Sequence, residues 1–345
     1  MQWDSGTVGR LIPNVEKAET QERKGKYINF CQTIYTPIFS EAWWMDAICG
    51  SENWDVWLYE KGGNVLAAMP YYLEQRGEYR YITKPPLTQN NGLLIRYPQN
   101  QKRVKRTHYE EEIACAANQH IQSLNIDVYE QQFHYSYDNF LPWFWNRYTN
   151  IPRVTYVIED TADMKTVESN ISSKYRSVIR KGRRAVNRFS AIAPEKFYAL
   201  HEKIFLRQGL KCPFSLEQWT RLYKACDMRR TGCILAAQDA QGEVLSLAFF
   251  VWDAESLYLL AGGPVPEHAS LDTYDALVYE GILLASRKEL KFDFEGSVVR
   301  QINHSFREYG GVPKLYYRIR KVFNPDIVRK EAEEVIGHLH EKVKN

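Results

Sequence analysis

The C-terminal third of the chain contains a strand, a helix and a second strand in close succession. Lys291-Phe-Asp-Phe-Glu-Gly-Ser297 has the pattern of a short buried strand that stops at a glycine. Phe306-Arg-Glu-Tyr-Gly-Gly311 is typical of a helix end closed by a Gly-Gly turn, and Lys314-Leu-Tyr-Tyr-Arg-Ile-Arg320 alternates as a second strand. A carboxylate, Glu295, ends the first strand and a cation, Arg307, ends the helix. This arrangement predicts a ligand cleft.

The length of the chain predicts two domains, because a domain usually comprises about 150 residues and this chain has 345. The net charge of +3 is too small to indicate polyanion binding by the whole protein, so a basic surface would have to be local. The six cysteines are scattered without a Cys-x-x-Cys pair, and the histidines lack metal-ligand spacing. We therefore expect free thiols in a reducing compartment and no metal site.

The N-terminal residues carry no basic stretch followed by an apolar run, as a signal peptide would. No segment approaches the roughly 18 consecutive apolar residues of a membrane-spanning helix. The sequence therefore predicts a cytoplasmic protein without a transmembrane segment, which could also bind at the inner face of the membrane.

Helix and strand patterns recur in the same order in the two halves of the chain. In each half, helices precede a strand hairpin, which turns at Gly62-Gly63 in the first half and at Gly242 in the second. A further strand, a helix and another strand follow. The predicted fold class is α/β (α+β), with a mixed, mostly antiparallel sheet flanked by helices in each half.

The domain organisation follows from this repeat. We expect a peripheral N-terminal segment over residues 1–30, a first domain over 31–152, a second domain over 153–322, and a C-terminal helix over 323–345 that packs back on the first domain. Asn324-Pro-Asp326 supplies the start signal of this last helix.

Four segments together resemble a known family. They are Pro37-Ile-Phe-Ser-Glu-Ala-Trp43, Ser173-Lys-Tyr-Arg-Ser-Val-Ile-Arg-Lys181, Phe205-Leu-Arg-Gln-Gly209, and Phe292-Asp-Phe-Glu-Gly296 with Phe306-Arg-Glu-Tyr-Gly-Gly311. In this order and spacing the chain resembles the Fem-type (FemAB-like) acyl- and aminoacyltransferases over nearly its whole length. The resemblance implies two tandem domains of the GNAT (N-acetyltransferase) fold.

The resemblance also implies roles in binding the acceptor substrate. Arg207 would hold the diphosphate of a nucleotide-linked acceptor, for which a planar guanidinium is well suited, although a surface ion pair is an open alternative. Tyr258 lies near a family tyrosine with a similar role. Trp43 matches a family tryptophan that a phosphate-binding lysine follows, but Met45-Asp-Ala47 stands in that place here. The acceptor could therefore differ from a nucleotide-linked muropeptide.

A second group of implied roles concerns the acyl transfer itself. Phe306 and Arg307 match a Phe-Lys step whose lysine neutralises the charge that develops on the oxyanion. Arginine keeps that charge but cannot donate a proton near neutral pH. Glu295 could accept the proton of the attacking nucleophile. The alternative for Glu295 is a helix-cap carboxylate, or a salt-bridge carboxylate with Arg300 or Arg307.

A basic helix is the strongest local charge signal. Its cations have no acid between them and are Lys174, Arg176, Arg180, Lys181, Arg183, Arg184 and Arg188. Tyr175, Ile179 and Gly182 share the apolar face, where the glycine would allow close packing. The cations could form a solvated face, contact tRNA or another polyanion, or bind substrate phosphates or lipid head groups.

The acyl donor implied is either aminoacyl-tRNA or acyl-CoA, and no cofactor is firmly implied. Ala261-Gly-Gly-Pro-Val-Pro-Glu-His268 stands where a GNAT enzyme has its pyrophosphate-binding loop, but its prolines lack amide donors and Glu267 would repel phosphate. This loop argues against CoA.

The function predicted is transfer of an acyl or aminoacyl group onto an amine or hydroxyl of a cell-envelope precursor or polysaccharide. Two alternatives remain at this point. One is a non-catalytic binding protein of the same fold, which the arginine at position 307 favours. The other is an acetyl-CoA-dependent exopolysaccharide acetyltransferase.

Overall fold

Twelve strands form one continuous sheet in the computed structural model of the protein, which describes residues 14–296 and 298–344, with side chains for 18–296 and 298–334. The strands are β1 (Trp54–Lys61), β2 (Asn64–Arg76), β3 (Tyr79–Thr83), β4 (Leu94–Ile95), β5 (Val128–Gln132), β6 (Thr149–Ile158), β7 (Arg188–Ser190), β8 (Gly232–Gln238), β9 (Val244–Trp252), β10 (Ser256–Pro264), β11 (Lys291–Asp293) and β12 (Val312–Val322). Their spatial order is β1-β2-β3-β5-β12-β6-β11-β10-β9-β8-β7, and β4 pairs with β2 beside this path.

Helices cover both faces of the sheet. They are α1 (Asn14–Cys31), α2 (Ala42–Cys49), α3 (Arg103–Ser123), α4 (Leu141–Trp145), α5 (Met164–Asn170), α6 (Ser173–Ala185), α7 (Pro194–Arg207), α8 (Leu216–Arg229), α9 (Thr273–Arg287), α10 (Arg300–Glu308) and α11 (Pro325–Lys344). In the part of the chain that the structure describes, no helix is both long and apolar enough to cross a membrane.

The two halves repeat one order of elements. The first runs α1-α2-β1-β2-β3-α3-β5-α4-β6 and the second α7-α8-β8-β9-β10-α9-β11-α10-β12, with the short β4 as an addition to the first. Each half has one parallel pair, β3 with β5 and β10 with β11, among antiparallel neighbours. The predicted duplication and the mixed, mostly antiparallel α/β class are confirmed.

The last strands of the two halves are exchanged across the centre of the sheet. β12 lies between β5 and β6, and β6 lies between β12 and β11, all in antiparallel pairs. Each half therefore completes the sheet of the other. The boundary predicted between residues 152 and 153 falls inside β6. This strand ends the first half of the chain and also belongs to the centre of the shared sheet.

The side chains alternate between two layers along every strand. One face, called here the α2 face, packs Val56, Ala68 and Phe249 against α1, α2, α7 and α8. The opposite face, called the α9 face, packs against α5, α6, α9 and α10 in the second half and against α3 and α4 in the first.

The N-terminal segment that the sequence predicts to be peripheral contributes to the core. α1 presents Tyr27 and Phe30 to the layer on the α2 face, where both are buried. The ring of Tyr27 contacts Trp54 edge-on, and its hydroxyl donates to the Ser40 carbonyl. The apolar face of α1 consists of only these few residues. The mostly polar composition of the segment therefore does not reveal that the helix packs on the core.

The C-terminal helix α11 contacts β12 and the first half. The Lys330 ammonium donates to the Tyr79 hydroxyl of β3 at 3.0 Å, and Glu331 pairs with Arg320 of β12 at 2.5 Å. Ile327 is buried. The part of the predicted helix after residue 334 lies outside the described side chains.

Gly182 sets the distance between α6 and α9. A Cβ at this position would lie 2.1 Å from the carbonyl oxygen of Asp272, at the start of α9. The close packing predicted from the apolar face of the basic helix is therefore present, with Tyr175 and Ile179 buried beside it.

Candidate active site

The alternation of β11 divides its side chains between the two faces of the sheet. Phe292 and Phe294 belong to the core on the α9 face, where Phe292 contacts Phe294 and Phe294 contacts Phe306 and Tyr309. Asp293 therefore points to the α2 face, and Glu295 lies with it in the same cavity. The two carboxyl groups are 3% and 8% exposed, respectively.

The cavity lies between the centre of the sheet and the loop that connects β3 to β4. Its lining comes from both halves and consists of Gln89, Asn90, Phe133, Tyr135, Thr155, Asp293, Glu295 and Tyr316. The enclosed space is about 10 Å³, enough for roughly one water molecule. A substrate would therefore insert only a small group, such as an amine, a hydroxyl or a carbonyl.

Asp293 is held by hydrogen bonds that favour its charged form. Its Oδ1 accepts from the Thr155 hydroxyl at 2.5 Å and from the Glu295 backbone N–H at 2.8 Å. Burial nevertheless raises the pKa of Asp293 to about 6, and the Thr155 bond opposes that shift.

Glu295 has a strained backbone and an unpartnered oxygen. Its φ is 59°, in the left-handed region that side chains other than glycine and asparagine rarely adopt. Its carbonyl accepts from the Gln89 amide, whereas its buried Oε1 has no hydrogen-bond partner. Strain of this kind together with an orphaned buried acceptor is typical of functional sites.

The pKa of Glu295 is raised well above its ordinary value. Burial is the main cause, the Asp293 carboxylate adds to it, and the Lys84 ammonium opposes it. Hydrogen bonds to the charged form support the Asp293 carboxylate, whereas the Glu295 side chain accepts none from the described residues. The surroundings therefore disfavour the charged form of Glu295 more strongly than that of Asp293.

Gly296 ends this segment for a steric reason. Its φ is +65°, and a Cβ there would lie 2.2 Å from the Val154 carbonyl oxygen of β6. The backbone at the end of β11 thereby crosses β6 closely enough to hold Glu295 in the cavity. The sequence prediction of a strand stopped by glycine agrees with this geometry.

Arg307 does not lie in the cavity with Glu295. Its side chain is 61% exposed on α10, donates to His304 Nδ1 at 3.0 Å, and lies 4.0 Å from Glu308. Phe306 packs against Phe294. α10 lies on the α9 face of the sheet and Glu295 on the other, so the structure does not bring the two predicted catalytic residues together.

The predicted acceptor-binding residues are also dispersed. Arg207 donates to the Pro266 carbonyl at 2.9 Å on the surface. Tyr258 is fully buried and donates to Asp253 Oδ2 at 2.9 Å. Trp43 is half-buried beneath the Arg229 guanidinium, 4.7 Å from the ring centroid. The buried Tyr258 hydroxyl helps to join the halves, because Asp253 also accepts from the Ile38 N–H of the first half.

The cations of α6 differ in their partners. Lys181 pairs with Asp272 at 2.6 Å, and Arg176 donates to backbone carbonyls of Glu168, Ser169 and Ile171. Arg180 donates to the Arg176 carbonyl and the Ser177 hydroxyl. Lys174 and Arg184 are exposed, and among the described residues neither has a hydrogen bond or ion pair. A polyanion contact would rest mainly on these last two.

The loop before α9 offers little to a pyrophosphate. Asp272 stands at the N-terminus of α9 with φ 58°, its side chain pairs with Lys181, and Gly182 of α6 packs on its carbonyl. A phosphate would meet the Asp272 carboxylate and a helix end that is already covered. The described residues also contain no group of three or more His, Cys, Asp or Glu side chains that could hold a metal ion.

Most of the cavity residues could not be identified from the sequence. Gln89 and Asn90 belong to a turn-rich loop, and Thr155 and Tyr316 belong to strands. One signal was present in the sequence: within Lys291–Gly296, the acids Asp293 and Glu295 alternate with phenylalanines. That alternation places the acids together on the opposite face from the aromatic core.

Comparison with known proteins gives structural likeness without sequence likeness. No protein-family model matches the chain, and no curated protein matches it by sequence. FemX is similar in structure, with a TM-score of 0.62 and 10% identity over 90% of this chain and 97% of FemX.

Two further solved structures are similar. A conserved protein of unknown function from Bacteroides thetaiotaomicron has a TM-score of 0.53 and 10% identity over 88% of this chain and 97% of its own. A tandem GNAT protein from the clavulanic acid biosynthesis pathway has a TM-score of 0.51 and 11% identity over 89% of this chain and 97% of its own. With the duplicated element order, these likenesses show that the chain has the tandem GNAT fold that it shares with FemX.

Proposed function

We propose that the protein is an acyltransferase whose reaction takes place at the Asp293–Glu295 cavity. The observation that carries this proposal is the buried carboxyl pair at the end of β11, in which Asp293 accepts two hydrogen bonds and Glu295 Oε1 has no partner among the described residues. The fold supports it, because FemX and a tandem GNAT protein have the same architecture. Fold likeness alone would leave the chemistry open, and the cavity supplies the groups that acyl transfer needs.

The chemical step needs only a proton relay and a stabilised oxyanion. An amine or hydroxyl attacks the carbonyl carbon of an ester or thioester, a C–N or C–O bond forms, and the C–O or C–S bond to the leaving group breaks. Glu295 donates its proton to the leaving oxygen or sulfur and takes the proton of the nucleophile in return. Asp293 keeps the proton on Glu295 by charge repulsion, so the relay begins in the required state.

Lys84 replaces Arg307 as the cation in this proposal. Burial lowers the pKa of Lys84, and the nearby Glu295 carboxyl opposes that shift and so favours the ammonium form. Lys84 belongs to the loop beside the cavity. Positive charge near the carbonyl oxygen stabilises the developing oxyanion. Arg307 lies on the other face of the sheet and takes no part in the step.

The donor and acceptor are proposed from the same chemistry. An aminoacyl-tRNA donor would find Lys174 and Arg184 of α6 exposed for its phosphates on the α9 face, and its aminoacyl end would have to reach the cavity on the other face of the sheet. An acyl-CoA donor is the alternative, although the loop before α9 is unsuited to its pyrophosphate. The acceptor is an amine or hydroxyl on a cell-envelope precursor or polysaccharide, and the protein would work in the cytoplasm or at the inner face of the membrane.

A donor panel tests the proposal. Purified full-length protein is incubated with radiolabelled aminoacyl-tRNA, acetyl-CoA and acyl carrier protein donors, each with amine and hydroxyl acceptors, and products are identified by mass spectrometry. We expect one donor class to be consumed with formation of an amide or ester, and the product to be absent with Glu295→Gln. If a tRNA donor is used, Lys174→Gln with Arg184→Gln should raise KM and reduce its salt dependence, and Lys181→Gln is the matched control.

The proposal fails if no donor in the panel is consumed by the wild-type protein. It also fails if Glu295→Gln, with an unchanged melting temperature, transfers as fast as the wild type. The first outcome would favour a binding protein of this fold, and the second would place the reaction elsewhere.

A further inference from the structure

A row of charged side chains crosses the centre of the sheet next to the cavity. It consists of Glu130 on β5, Arg318 and Arg320 on β12, and Arg153 on β6, and is called here the central strip. The register pairs Arg320 with Glu130 and Tyr316 with Arg153. Residues paired in this way share a face, so the central strip lies on the same face as Tyr316, which lines the cavity.

The partners of the strip leave part of its positive charge uncompensated. Glu130 accepts from Arg318 at 3.3 Å and lies 3.2 Å from Arg320, which also pairs with Glu331 of α11. Arg153 has no hydrogen bond or ion pair to any described residue. Among the described residues, the three guanidinium groups of the strip therefore have only two carboxylates, Glu130 and Glu331, as ion-pair partners.

In the strip, two buried N–H donors have no acceptor among the described residues. They are Nε of Arg153 and Nε of Arg318. The two residues are diagonal neighbours on adjacent strands, since Arg318 faces Ile151 and Arg153 faces Tyr316. Burying charged donors without acceptors is unfavourable, so their convergence on one face indicates an anionic partner.

We infer that Arg153 and Arg318 bind a phosphate group of a substrate whose reacting end lies at Asp293 and Glu295. The anion site stands on the strip alone, whereas the position of the reacting end rests on the proposed function. Guanidinium groups suit such oxyanions because they donate paired, charge-assisted hydrogen bonds.

The spacing gives the ligand an approximate size. Arg318 is two residues from Tyr316 along β12, which corresponds to about 7 Å at the rise of a strand. A bound anion would therefore lie roughly one side chain's length from the cavity. This separation suits a molecule whose anionic group is a few bonds away from its acyl carbon or its nucleophile.

Titration calorimetry on the full chain tests the anion site without any need for turnover. The probes are inorganic pyrophosphate for the shared chemistry, then CoA for a donor phosphate and UDP for a nucleotide-linked acceptor. Arg153→Gln is compared with Lys203→Gln, which removes one positive charge from an exposed position of α7. We expect Arg153→Gln to weaken pyrophosphate binding at least tenfold and Lys203→Gln to change it less than twofold.

The arms of the experiment separate the possible sources of the anion. Tighter binding of CoA than of pyrophosphate, lost in Arg153→Gln, assigns the strip to the donor, and the same result with UDP assigns it to the acceptor. Arg318→Gln should give the same loss and replaces Arg153→Gln if that variant does not fold. Equal affinity of both variants and the wild type for every probe, or no binding of any probe at millimolar concentration, overturns the inference.

Failure of the proposed function would look different. Glu295→Gln should leave pyrophosphate affinity within about twofold of the wild type because it lies outside the strip. A protein that binds pyrophosphate through Arg153 yet transfers no acyl group would retain the anion site and lose the proposed reaction.

Discussion

The functional character of the site comes from single residues whose environments differ over a short distance. Asp293 and Glu295 are two positions apart and both buried, but of the two only Asp293 accepts hydrogen bonds at its carboxylate from the described residues. The left-handed backbone of Glu295 costs about 1–2 kcal/mol.

The raised pKa of Asp293 predicts a pH-dependent effect of its substitution. Because the folded state binds this proton more tightly than the unfolded state, the contribution of Asp293 to the free energy of unfolding falls as pH rises from about 4 to about 6. A shift of about two units corresponds to about 3 kcal/mol. Asp293→Asn removes this dependence, so its stability relative to the wild type should increase by about 2–3 kcal/mol over that range.

Urea unfolding at pH 4, 5, 6 and 7 measures this difference. Asp163→Asn is the control, because hydrogen bonds from Thr166 and the N-terminus of α5 lower the pKa of Asp163 and the expected trend has the opposite sign. A stability difference between Asp293→Asn and the wild type that stays constant with pH would show that Asp293 titrates normally.

At the scale of elements, glycines decide how closely the layers approach. The sequence predicts that α6 is a helix with one apolar face, but it does not predict that Gly182 meets the start of α9 at the Asp272 carbonyl. That contact also covers the helix end at which a GNAT enzyme would bind a pyrophosphate. The packing of α6 on α9 thereby leaves little room for the pyrophosphate of a donor at this helix end.

Two glycine substitutions in helices should have opposite effects on stability. Gly182→Ala inserts a methyl group into a 2.1 Å contact and should lower the free energy of unfolding by about 1–3 kcal/mol. Gly25→Ala, on an exposed face of α1 with nothing within 4 Å, should raise it by about 0.5–1 kcal/mol. Chemical denaturation of both variants checks the pair, and an equal sign for both would contradict the packing described.

At the scale of the molecule, the exchange of β6 and β12 joins the halves. Neither half has a complete sheet alone, because the strand beside β5 comes from the second half and the strand beside β11 comes from the first. The candidate cavity lies over this exchanged pair and takes Thr155 from β6 and Tyr316 from β12. The site therefore exists only when both halves are folded.

The exchange predicts that the whole protein unfolds as one unit. Scanning calorimetry should show a single transition whose van't Hoff and calorimetric enthalpies agree, despite the duplicated architecture. Gly182→Ala, in the second half, should shift that transition as a whole. Two separable transitions, only one of them shifted, would mean that the halves fold independently.

The duplicated order of elements and the glycine-ended strand at 291–296 could be predicted from the sequence, because hydrophobic periodicity and turn residues act locally. The strand exchange and the cavity could not, since they depend on contacts between residues more than 100 positions apart, such as Thr155 with Asp293. Arg307 shows what a family resemblance could not predict. The Phe306-Arg307 motif is present in the sequence, but α10 lies on the face of the sheet opposite Glu295.

Single-turnover acyl transfer by Glu295→Gln and Arg307→Gln, with whichever donor the wild type consumes, decides whether the reaction takes place at the Asp293–Glu295 cavity. We expect a loss of at least about 100-fold in rate for Glu295→Gln, since a general acid–base residue contributes about 10²–10⁴-fold, and a rate within about threefold of wild type for Arg307→Gln. The opposite result, an inactive Arg307→Gln and an active Glu295→Gln, would contradict it and place the chemistry on the α10 side of the sheet.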